Sequence, residues 1–437
     1  MAVGMSWLRS AMTATGDVVD VEIVDGVIGQ VLPATGTAGG GTSSSGTAGG
    51  LGPDDADLSG QVLLPSFVEP HAHLDKALTA SLGHNLTGDL AGAIAAMDLL
   101  RELTTPADII TRAEAALRIH LAYGTTHIRS HVNVLSDVGL SGLEAMIEVR
   151  ERWRGVIDLQ LVALVNDTGG PLLREALKIG ADVAGGCPHM EDDPDRAVAA
   201  CLDAAGEAGR PMDLHTDETL NPAALSLRTM ADLVLRTGFP HGVTASHCVS
   251  LSMQPIETQR EIAERVAEAG IAVVALPQTN LFLQGRDHPV ATPRGLTAVG
   301  PLLRAGATVA AGGDNLRDPF HLVGRGDALE VAALMITCGH LDPIGALNTV
   351  TAAPRAAMGL PAVTLTPGAP ADLVAMPATD VLDALGIAGA ERTVWRDGRV
   401  VARTVVRSEL AAPPGASPVS AASAWSMASS TPFQPKA

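Results

Sequence analysis

The amino-acid sequence predicts an α/β fold, a (β/α)8 barrel with a small composite β-sandwich built from both chain ends. The barrel is predicted because short apolar runs alternate with helix-patterned segments from residue 61 onward, and eight such units follow one another. Strands that alternate with helices form a parallel sheet, and eight units close into a barrel. An open doubly wound sheet is the structural alternative, but no strand candidate is followed by a GxGxxG turn.

Hairpin patterns at both chain ends predict the β-sandwich. Residues 19–32 alternate between apolar and polar on either side of an Asp-Gly pair, and residues 392–404 do the same. Gly26 and Gly398 supply the positive φ that a tight hairpin turn needs. The predicted domains are an N-terminal part of the sandwich at 1–60, with a flexible Gly/Ser loop at 33–52, a catalytic barrel at 61–358, a C-terminal part of the sandwich at 359–410, and a disordered tail at 411–437.

The barrel elements follow in order along the chain. Residues 105–124 are typical of a helix, with Thr105 as cap, Pro106 in the first turn and Gly124 as stop. Residues 255–270 form a second amphipathic pattern that ends in glycine. The eight strand candidates are 63–73, 125–134, 157–166, 181–189, 211–218, 243–251, 271–280 and 308–315.

Composition excludes several classes of protein. Forty-eight acidic and 29 basic residues among 437 give a net charge of -19, which would be repelled by nucleic acid and by anionic membranes. Four scattered cysteines form no CxxC pair, which argues against a cysteine-rich zinc site and fits a reducing cytoplasm. No apolar run approaches the ~18 residues that span a bilayer. We therefore expect a cytoplasmic protein with no nucleic-acid or membrane partner, and the sequence leaves a homo-oligomer open.

Polar side chains fall at the ends of the predicted strands. His71 and His73 end the first strand, and their spacing by two places them on one side of an extended segment. His215 ends the fifth strand, His247 the sixth and Asp314 the eighth. Each alone has a structural explanation, such as a core histidine or a turn aspartate. Because barrel enzymes keep their catalytic groups at this end, the coincidence predicts a site for one divalent metal ion, zinc or iron.

Five segments together resemble a known family. "LLPSFVEPHAHLDK", "MDLHTDE", "VTASHC", "NLFLQGR" and "GGDNLRDPF" are similar, in order and spacing, to the cytosine deaminase-like branch of the amidohydrolase superfamily, which is related to N-isopropylammelide hydrolases. The likeness runs from about residue 61 to 401. It implies a metal-dependent barrel in which the metal ligands are His71, His73, His215 and Asp314, and in which Glu218, His247 and Asp314 are catalytic.

The resemblance also implies one metal and a small heterocyclic substrate. Relatives with two metals carry a bridging lysine on strand four, whereas residues 181–193 contain no lysine. The glutamine that contacts pyrimidine in cytosine deaminases is replaced by Asn166, which is shorter, and Asn315 stands where the family has a second aspartate. Cytosine itself is therefore not expected to be the substrate. The candidates for substrate contact are Asn166, Gln284, Asn315 and Phe320.

Three functions are compatible with these residues. The first is a hydrolytic deaminase of a cyclic amidine, an aminopyrimidine, aminotriazine or related heterocycle, which releases ammonia. The second is a hydrolase that releases an alkylamine from such a ring or opens it. The third is a catalytically silent ligand-binding barrel, which would have no need of Glu218 and His247. The roles of Asp75 and Lys76 are left open, and structural roles are favoured for His131 and His189.

Overall fold

The computed structural model describes residues 4–34, 55–101, 103–168 and 170–407. Positions 35–52 of the predicted flexible loop and the whole predicted tail lie outside these residues. In chain order, the strands are β1 (Ser6–Met12), β2 (Val18–Val24), β3 (Val27–Pro33), β4 (Ala56–Asp57), β5 (Gln61–Pro65), β6 (Phe67–Ala72), β7 (Thr125–Val134), β8 (Asp158–Val165), β9 (Val183–Gly186), β10 (Met212–Thr216), β11 (Val243–His247), β12 (Ala272–Ala275), β13 (Val309–Ala311), β14 (Leu373–Pro377), β15 (Arg392–Arg396) and β16 (Arg399–Thr404).

Strands from both chain ends form one mixed sheet, in the order β16-β15-β14-β5-β1-β2-β3, with β4 paired to β1. Because β14 pairs antiparallel with β5, the C-terminal strands continue the N-terminal sheet. Both predicted hairpins are present: φ is 50° at Asp25 and 85° at Gly26, and 47° at Asp397 and 70° at Gly398. Positive φ at both central positions is the type I′ turn, whose twist matches that of the strands it joins.

The chain passes from this sheet to the barrel between two successive residues. The N–H of Ser66 donates to the carbonyl of Asp372 in the small sheet at 2.9 Å, whereas the N–H of Phe67 donates to the carbonyl of Gly124 at 2.9 Å. The predicted domain boundary at residue 61 thus falls at the start of β5, and the first barrel strand is β6. Both strands are apolar and adjoin in sequence, so hydrophobicity does not separate them.

The other sheet is the barrel. β6 to β13 run parallel in sequential order, which confirms the predicted fold class. At the carboxyl end, Ala72, the last residue of β6, bridges to Asp314, which follows β13. The N–H of Asp314 donates to the carbonyl of His71 at 3.0 Å, and the N–H of His73 donates to that of Asp314 at 3.2 Å. The first and last strands of the barrel are therefore joined by residues that the sequence predicts to bind metal.

Helices cover the outside of the barrel. Thr105 caps α2 through a hydrogen bond from the N–H of Asp108, and Gly124, with φ of 92°, follows its end as predicted. In chain order, the helices are α1 (Leu90–Arg101), α2 (Pro106–Ala122), α3 (Ser141–Trp153), α4 (Pro171–Ile179), α5 (Pro194–Ala208), α6 (Ser226–Thr237), α7 (Ile256–Glu268), α8 (Pro277–Leu283), α9 (Val299–Arg304), α10 (Ala328–Thr337), α11 (Pro343–Asn348), α12 (Ala352–Ala357) and α13 (Val381–Ile387), with short 3-10 helices at Pro188–Met190 and Val249–Met253.

A buried ion pair fixes the small sheet against the barrel. The Arg392 guanidinium on β15 donates to both carboxylate oxygens of Asp327 at 2.8 Å, and it also donates to the carbonyl of Tyr123. The same Asp327 carboxylate caps α10 by accepting from the N–H of Leu329 at 3.0 Å. A bidentate pair of this kind fixes orientation as well as position. The small sheet and the helical layer are thus held in one arrangement.

The four cysteines form no disulfide. Cys187, Cys201, Cys248 and Cys338 are all free. Among the helices that the structure describes, none is both long and apolar enough to cross a bilayer. The apolar core lies between the barrel strands and the surrounding helices, with side chains such as Ile128 fully buried.

Candidate active site

The predicted metal ligands meet at the carboxyl end of the barrel. His71 lies on β6, His73 directly follows it, His215 lies on β10 and Asp314 follows β13. His73 Nε2 is 3.2 Å from His215 Nε2 and 3.3 Å from Asp314 Oδ1. His71 Nε2 is 3.7 Å from the same carboxylate oxygen. The structure therefore brings all four side chains around one point.

The separations fit a shared cation. Donor atoms around a tetrahedral zinc ion lie about 3.4 Å apart, given metal–ligand bonds of roughly 2.1 Å. The measured separations of 3.2 to 3.7 Å bracket that value. His71 Nε2 and Asp314 Oδ1 are buried and have no hydrogen-bond partner among the described residues. Unpartnered buried donors and acceptors that converge in this way are typical of a metal centre.

Burial keeps the imidazoles in the state that binds metal. It lowers the pKa of His71, His73 and His215 far below the ordinary histidine value, and the neighbouring imidazoles lower it further. The three rings are therefore neutral at neutral pH, with lone pairs available to a cation.

A chain of hydrogen bonds sets the tautomer of His71. Ser246 Oγ donates to Asp213 Oδ1 at 2.9 Å, and Asp213 is in turn held by Arg129 at 2.8 Å. Because its proton is committed to Asp213, the Ser246 hydroxyl must accept from His71 Nδ1, which lies 2.8 Å away. This places the ring proton on Nδ1 and leaves the Nε2 lone pair facing Asp314. Such outer contacts orient metal ligands and raise their basicity.

Ser246→Ala is expected to weaken metal binding about 10- to 100-fold, since that is the usual effect of losing an outer contact of a ligand. Competition with a chelator of known affinity would measure the change. Ser252→Ala is the matched control, because the one bond of the Ser252 hydroxyl among the described residues is to the nearby carbonyl of Val249. Equal metal affinity in the Ser246→Ala variant and the wild type would exclude this role.

Glu218, His247 and Asn280 form a second group beside the ligands. Asn280 Nδ2 donates to Glu218 Oε1 at 3.1 Å, and the Asn280 amide adjoins His247 Nδ1, with Nδ2 at 3.2 Å and Oδ1 at 3.4 Å. His247 Nε2 is buried and has no hydrogen-bond partner among the described residues. Burial lowers the pKa of His247 to about 3, so the ring is neutral and acts as a donor. Burial, and then the charge of Asp314, raises the pKa of Glu218 well above that of an ordinary glutamate.

Three residues at the carboxyl ends of barrel strands have strained backbone. Asp217 before Glu218, His247 and Asp314 have positive φ of 51°, 69° and 62°. For residues other than glycine this conformation is uncommon and strained. It turns the chain sharply at the carboxyl ends of β10, β11 and β13, where the functional side chains are grouped.

Comparison with known proteins identifies the family. The model of the amidohydrolase family matches residues 78–402, which is most of the chain. The chain belongs to the amidohydrolase family. This confirms the predicted relationship and the prediction of a hydrolase that acts on carbon–nitrogen bonds. The superfamily is metal-dependent, in agreement with the cluster of histidines and aspartate.

This amidohydrolase is similar to three proteins of related chemistry. It is 36% identical over 398 residues to a pterin deaminase from Rhizobium rhizogenes, covering 88% of each chain. The structure of 5-methylcytosine deaminase from Klebsiella pneumoniae superposes with a TM-score of 0.81 at 28% identity, over 93% of this chain and 100% of that one. N-isopropylammelide isopropylaminohydrolase from Burkholderia multivorans gives a TM-score of 0.76 at 30% identity, over 92% and 99%.

A cavity of about 580 Å³ adjoins the predicted metal ligands of this amidohydrolase. Its polar end is lined by His73, His215, Glu218, His247 and Asp314. The opposite wall is apolar and is supplied partly by α1, which lies between β6 and β7 ahead of α2. The volume suits a ligand larger than one six-membered ring. Its apolar wall consists chiefly of Leu90, Ile94, Met97, Leu135 and Met190.

Three of the four predicted substrate contacts line the cavity, and the fourth does not. Asn166, Asn315 and Phe320 line the cavity. Gln284 is not among the residues that line the cavity; its side chain donates to the carbonyl of Glu218 at 3.2 Å. Gln284 thus supports the segment that carries Glu218.

Sequence reasoning missed Asn280, Ser246 and the position of Lys76. Asn280 lies on α8, just after β12, and its place near the end of a predicted strand was the available signal. Ser246 adjoins His247 on β11 and carried no signal of its own. Lys76 lines the cavity.

The two histidines for which structural roles are favoured, His131 and His189, both adjoin the predicted ligands. The ring centroid of His131 is 3.9 Å from that of His71, and neither of its nitrogens has a hydrogen-bond partner within the described chain. His189 Nδ1 donates to the carbonyl of His215 at 3.0 Å. His189 therefore holds the backbone of a predicted ligand, which agrees with a structural role for it.

Proposed function

We propose that this amidohydrolase is a hydrolytic deaminase of a cyclic amidine, an aminopyrimidine, aminotriazine or related heterocycle, and that it releases ammonia. The group formed by Glu218, Asn280 and His247 beside the ligand cluster carries the proposal. Binding a metal or a ring needs no buried carboxyl coupled to a neutral imidazole. Moving a proton onto a ring nitrogen while an oxygen is polarised needs both.

The names of the similar proteins support the same chemistry. A pterin deaminase and a 5-methylcytosine deaminase both remove an amino group from a nitrogen heterocycle. The cavity also has room for a bicyclic or substituted ring.

One divalent ion, zinc or iron, would be held by His71, His73, His215 and Asp314. Three imidazoles and one carboxylate suit either metal. When bound, such an ion lowers the pKa of a water molecule so that hydroxide is available near neutral pH. β9 contains no lysine that could bridge two metals, which supports a single ion.

The protein's own residues then move the protons. Glu218 takes a proton from the attacking water and delivers it to the ring nitrogen next to the amino-bearing carbon, which becomes electrophilic. The raised pKa of Glu218 suits both steps, because the carboxylate is a stronger base than usual and its acid form is populated at higher pH. His247 donates from Nε2 to the oxygen of the tetrahedral adduct. Proton transfer to the amine, assisted by Asp314, allows ammonia to leave as the carbonyl forms.

We expect the metal-loaded protein to release ammonia from at least one of a panel of aminopyrimidines, aminotriazines and aminopteridines. Ammonia would be measured by an enzyme-coupled assay, with the oxo product identified by mass. The Glu218→Gln variant, prepared in parallel, excludes a contaminating deaminase. Release of an alkylamine in place of ammonia would favour the second function, and no release of either from the whole panel would contradict the proposal.

Release of an alkylamine is the second candidate. The similarity to N-isopropylammelide isopropylaminohydrolase supports it, and so does the apolar wall, against which an alkyl substituent could lie. The same proton transfers by Glu218 and His247 would expel an amine in place of ammonia. N-alkylated members of the same panel therefore distinguish the two candidates.

A further inference from the structure

Lys76 places a cation in the wall of the active-site cavity. It follows the predicted ligands His71 and His73 on the same segment and is only 7% exposed. Its Nζ lies 3.8 Å from the ring centroid of Phe320, over the aromatic face, and both side chains line the cavity. The contact with the ring holds the ammonium in one position.

The ammonium has no acceptor of its own within the described chain. No hydrogen bond or ion pair from Lys76 Nζ is formed among these residues, although the group carries three donors. Burying an ammonium is unfavourable unless it gains partners. Phe320 contacts the ammonium through the face of its ring and offers it no oxygen or nitrogen acceptor. The N–H groups of Lys76 that face the cavity are therefore available to a ligand.

Several other polar groups of the cavity wall are already engaged. Asn315 donates to Asp318 Oδ2 at 2.8 Å and accepts from Thr279 at 3.2 Å. The oxygen of Asn166 accepts from the N–H of Ser136 at 3.3 Å. The guanidinium of Arg101, at the cavity edge, is paired with acidic side chains. Lys76 is thus the uncommitted cation of this wall within the described chain.

We infer that Lys76 determines specificity by donating a hydrogen bond to an exocyclic oxygen of the substrate ring. This inference rests on the proposed function and narrows it: the substrate class is an amino-oxo heterocycle, in which a ring carbonyl accompanies the amidine. A carbonyl or enolate oxygen accepts from an ammonium, whereas a ring that carries hydrogen at that carbon leaves the buried charge unpaired. A site built to bond an oxygen rejects the analogue that lacks it.

A structural alternative predicts a different result. Lys76 also lies near Glu218, Asp314 and Asp318, whose carboxyl groups its charge influences. If Lys76 only balanced these acids, its removal would affect every substrate to the same extent. The test must therefore compare matched ligands.

The binding of matched ligand pairs to metal-loaded protein distinguishes a specificity role of Lys76 from a role in balancing the nearby acids. The pairs are cytosine with 4-aminopyrimidine, and 2-amino-4-oxopteridine with 2-aminopteridine. Dissociation constants are measured by calorimetry in the Glu218→Gln background, where turnover does not consume the ligand. We expect the protein with Lys76 to prefer at least one oxo compound, and Lys76→Met to weaken that binding about 10- to 100-fold, the effect of losing a hydrogen bond from a charged donor. The analogue without oxygen should change less than about threefold.

Controls keep the result interpretable. Lys178→Met removes an exposed lysine on α4 and should change neither ligand. Lys76→Arg retains a donor and should preserve part of the preference. Unchanged melting temperature and metal content show that Lys76→Met folds; if it does not, Lys76→Leu replaces it.

Two outcomes overturn the inference: equal loss of binding for both members of a pair, or no preference for an oxo compound in the protein that retains Lys76. Ammonia release by the wild type is scored separately. Tighter binding of an oxo compound without ammonia release would contradict the proposed function and leave the role of Lys76 supported. Ammonia release without tighter binding of an oxo compound would support the proposed function and contradict the role of Lys76.

Discussion

Glu218→Gln is expected to retain its metal and to lose about 10²- to 10⁴-fold in the rate of ammonia release, the usual contribution of a positioned general acid and base. The glutamine oxygen can still accept from Asn280, so the local structure is preserved. An amide cannot take up and return a proton, so the transfer to the ring nitrogen is lost. Single-turnover rates and metal analysis on the same preparation would measure the two effects.

Glu175→Gln is the control for this prediction. Glu175 is exposed on α4, so the same chemical change there should leave both rate and metal content unaltered. A Glu218→Gln variant that deaminated at the wild-type rate would remove Glu218 from the mechanism. One that lost its metal would show that the carboxyl is itself a ligand.

His73→Ala is expected to lose both metal and activity. Its Nε2 lies within 3.3 Å of donor atoms on His215 and Asp314, so its removal opens one side of the predicted site. Loss of the cation removes several kcal/mol of stabilisation of the developing charge, which corresponds to a rate lower by about 10³-fold or more. Metal content per chain, measured by plasma mass spectrometry, should fall well below that of the wild type.

His288→Ala controls for general effects of removing an imidazole. His288 is exposed, and its backbone makes its hydrogen bonds to Gly285 and Thr292. We expect wild-type metal content in this variant. Wild-type metal content in His73→Ala would show that the ligand assignment is wrong.

The fold was predictable because each barrel element carries its own local signal. Apolar runs, glycine stops and the cap at Thr105 act over a few residues and can be seen without the partner strands. The grouping of His71, His215 and Asp314 was predictable for a different reason. Once a parallel barrel is assumed, its topology alone brings the strand ends together.

Contacts that depend on side-chain direction were not predictable in the same way. Gln284 and Asn315 both follow barrel strands, yet Gln284 donates to the backbone carbonyl of Glu218, whereas Asn315 lines the cavity. The hydrogen bond between Ser246 and His71 joins two strands through atoms whose separation no periodicity encodes. The change of sheet at Ser66 was hidden for a related reason, since the end of β5 and the start of β6 are both apolar.

The closure of the barrel has a thermodynamic consequence. The peptide groups of His71, His73 and Asp314 join the first barrel strand to the last, and their side chains converge on one point. A cation that binds there binds only the closed form, and it therefore stabilises that form by mass action, in proportion to the logarithm of its concentration over its dissociation constant. The centre that activates water would then also act as a cross-link between the two termini of the barrel, so that catalytic competence and the integrity of the scaffold are gained in one event.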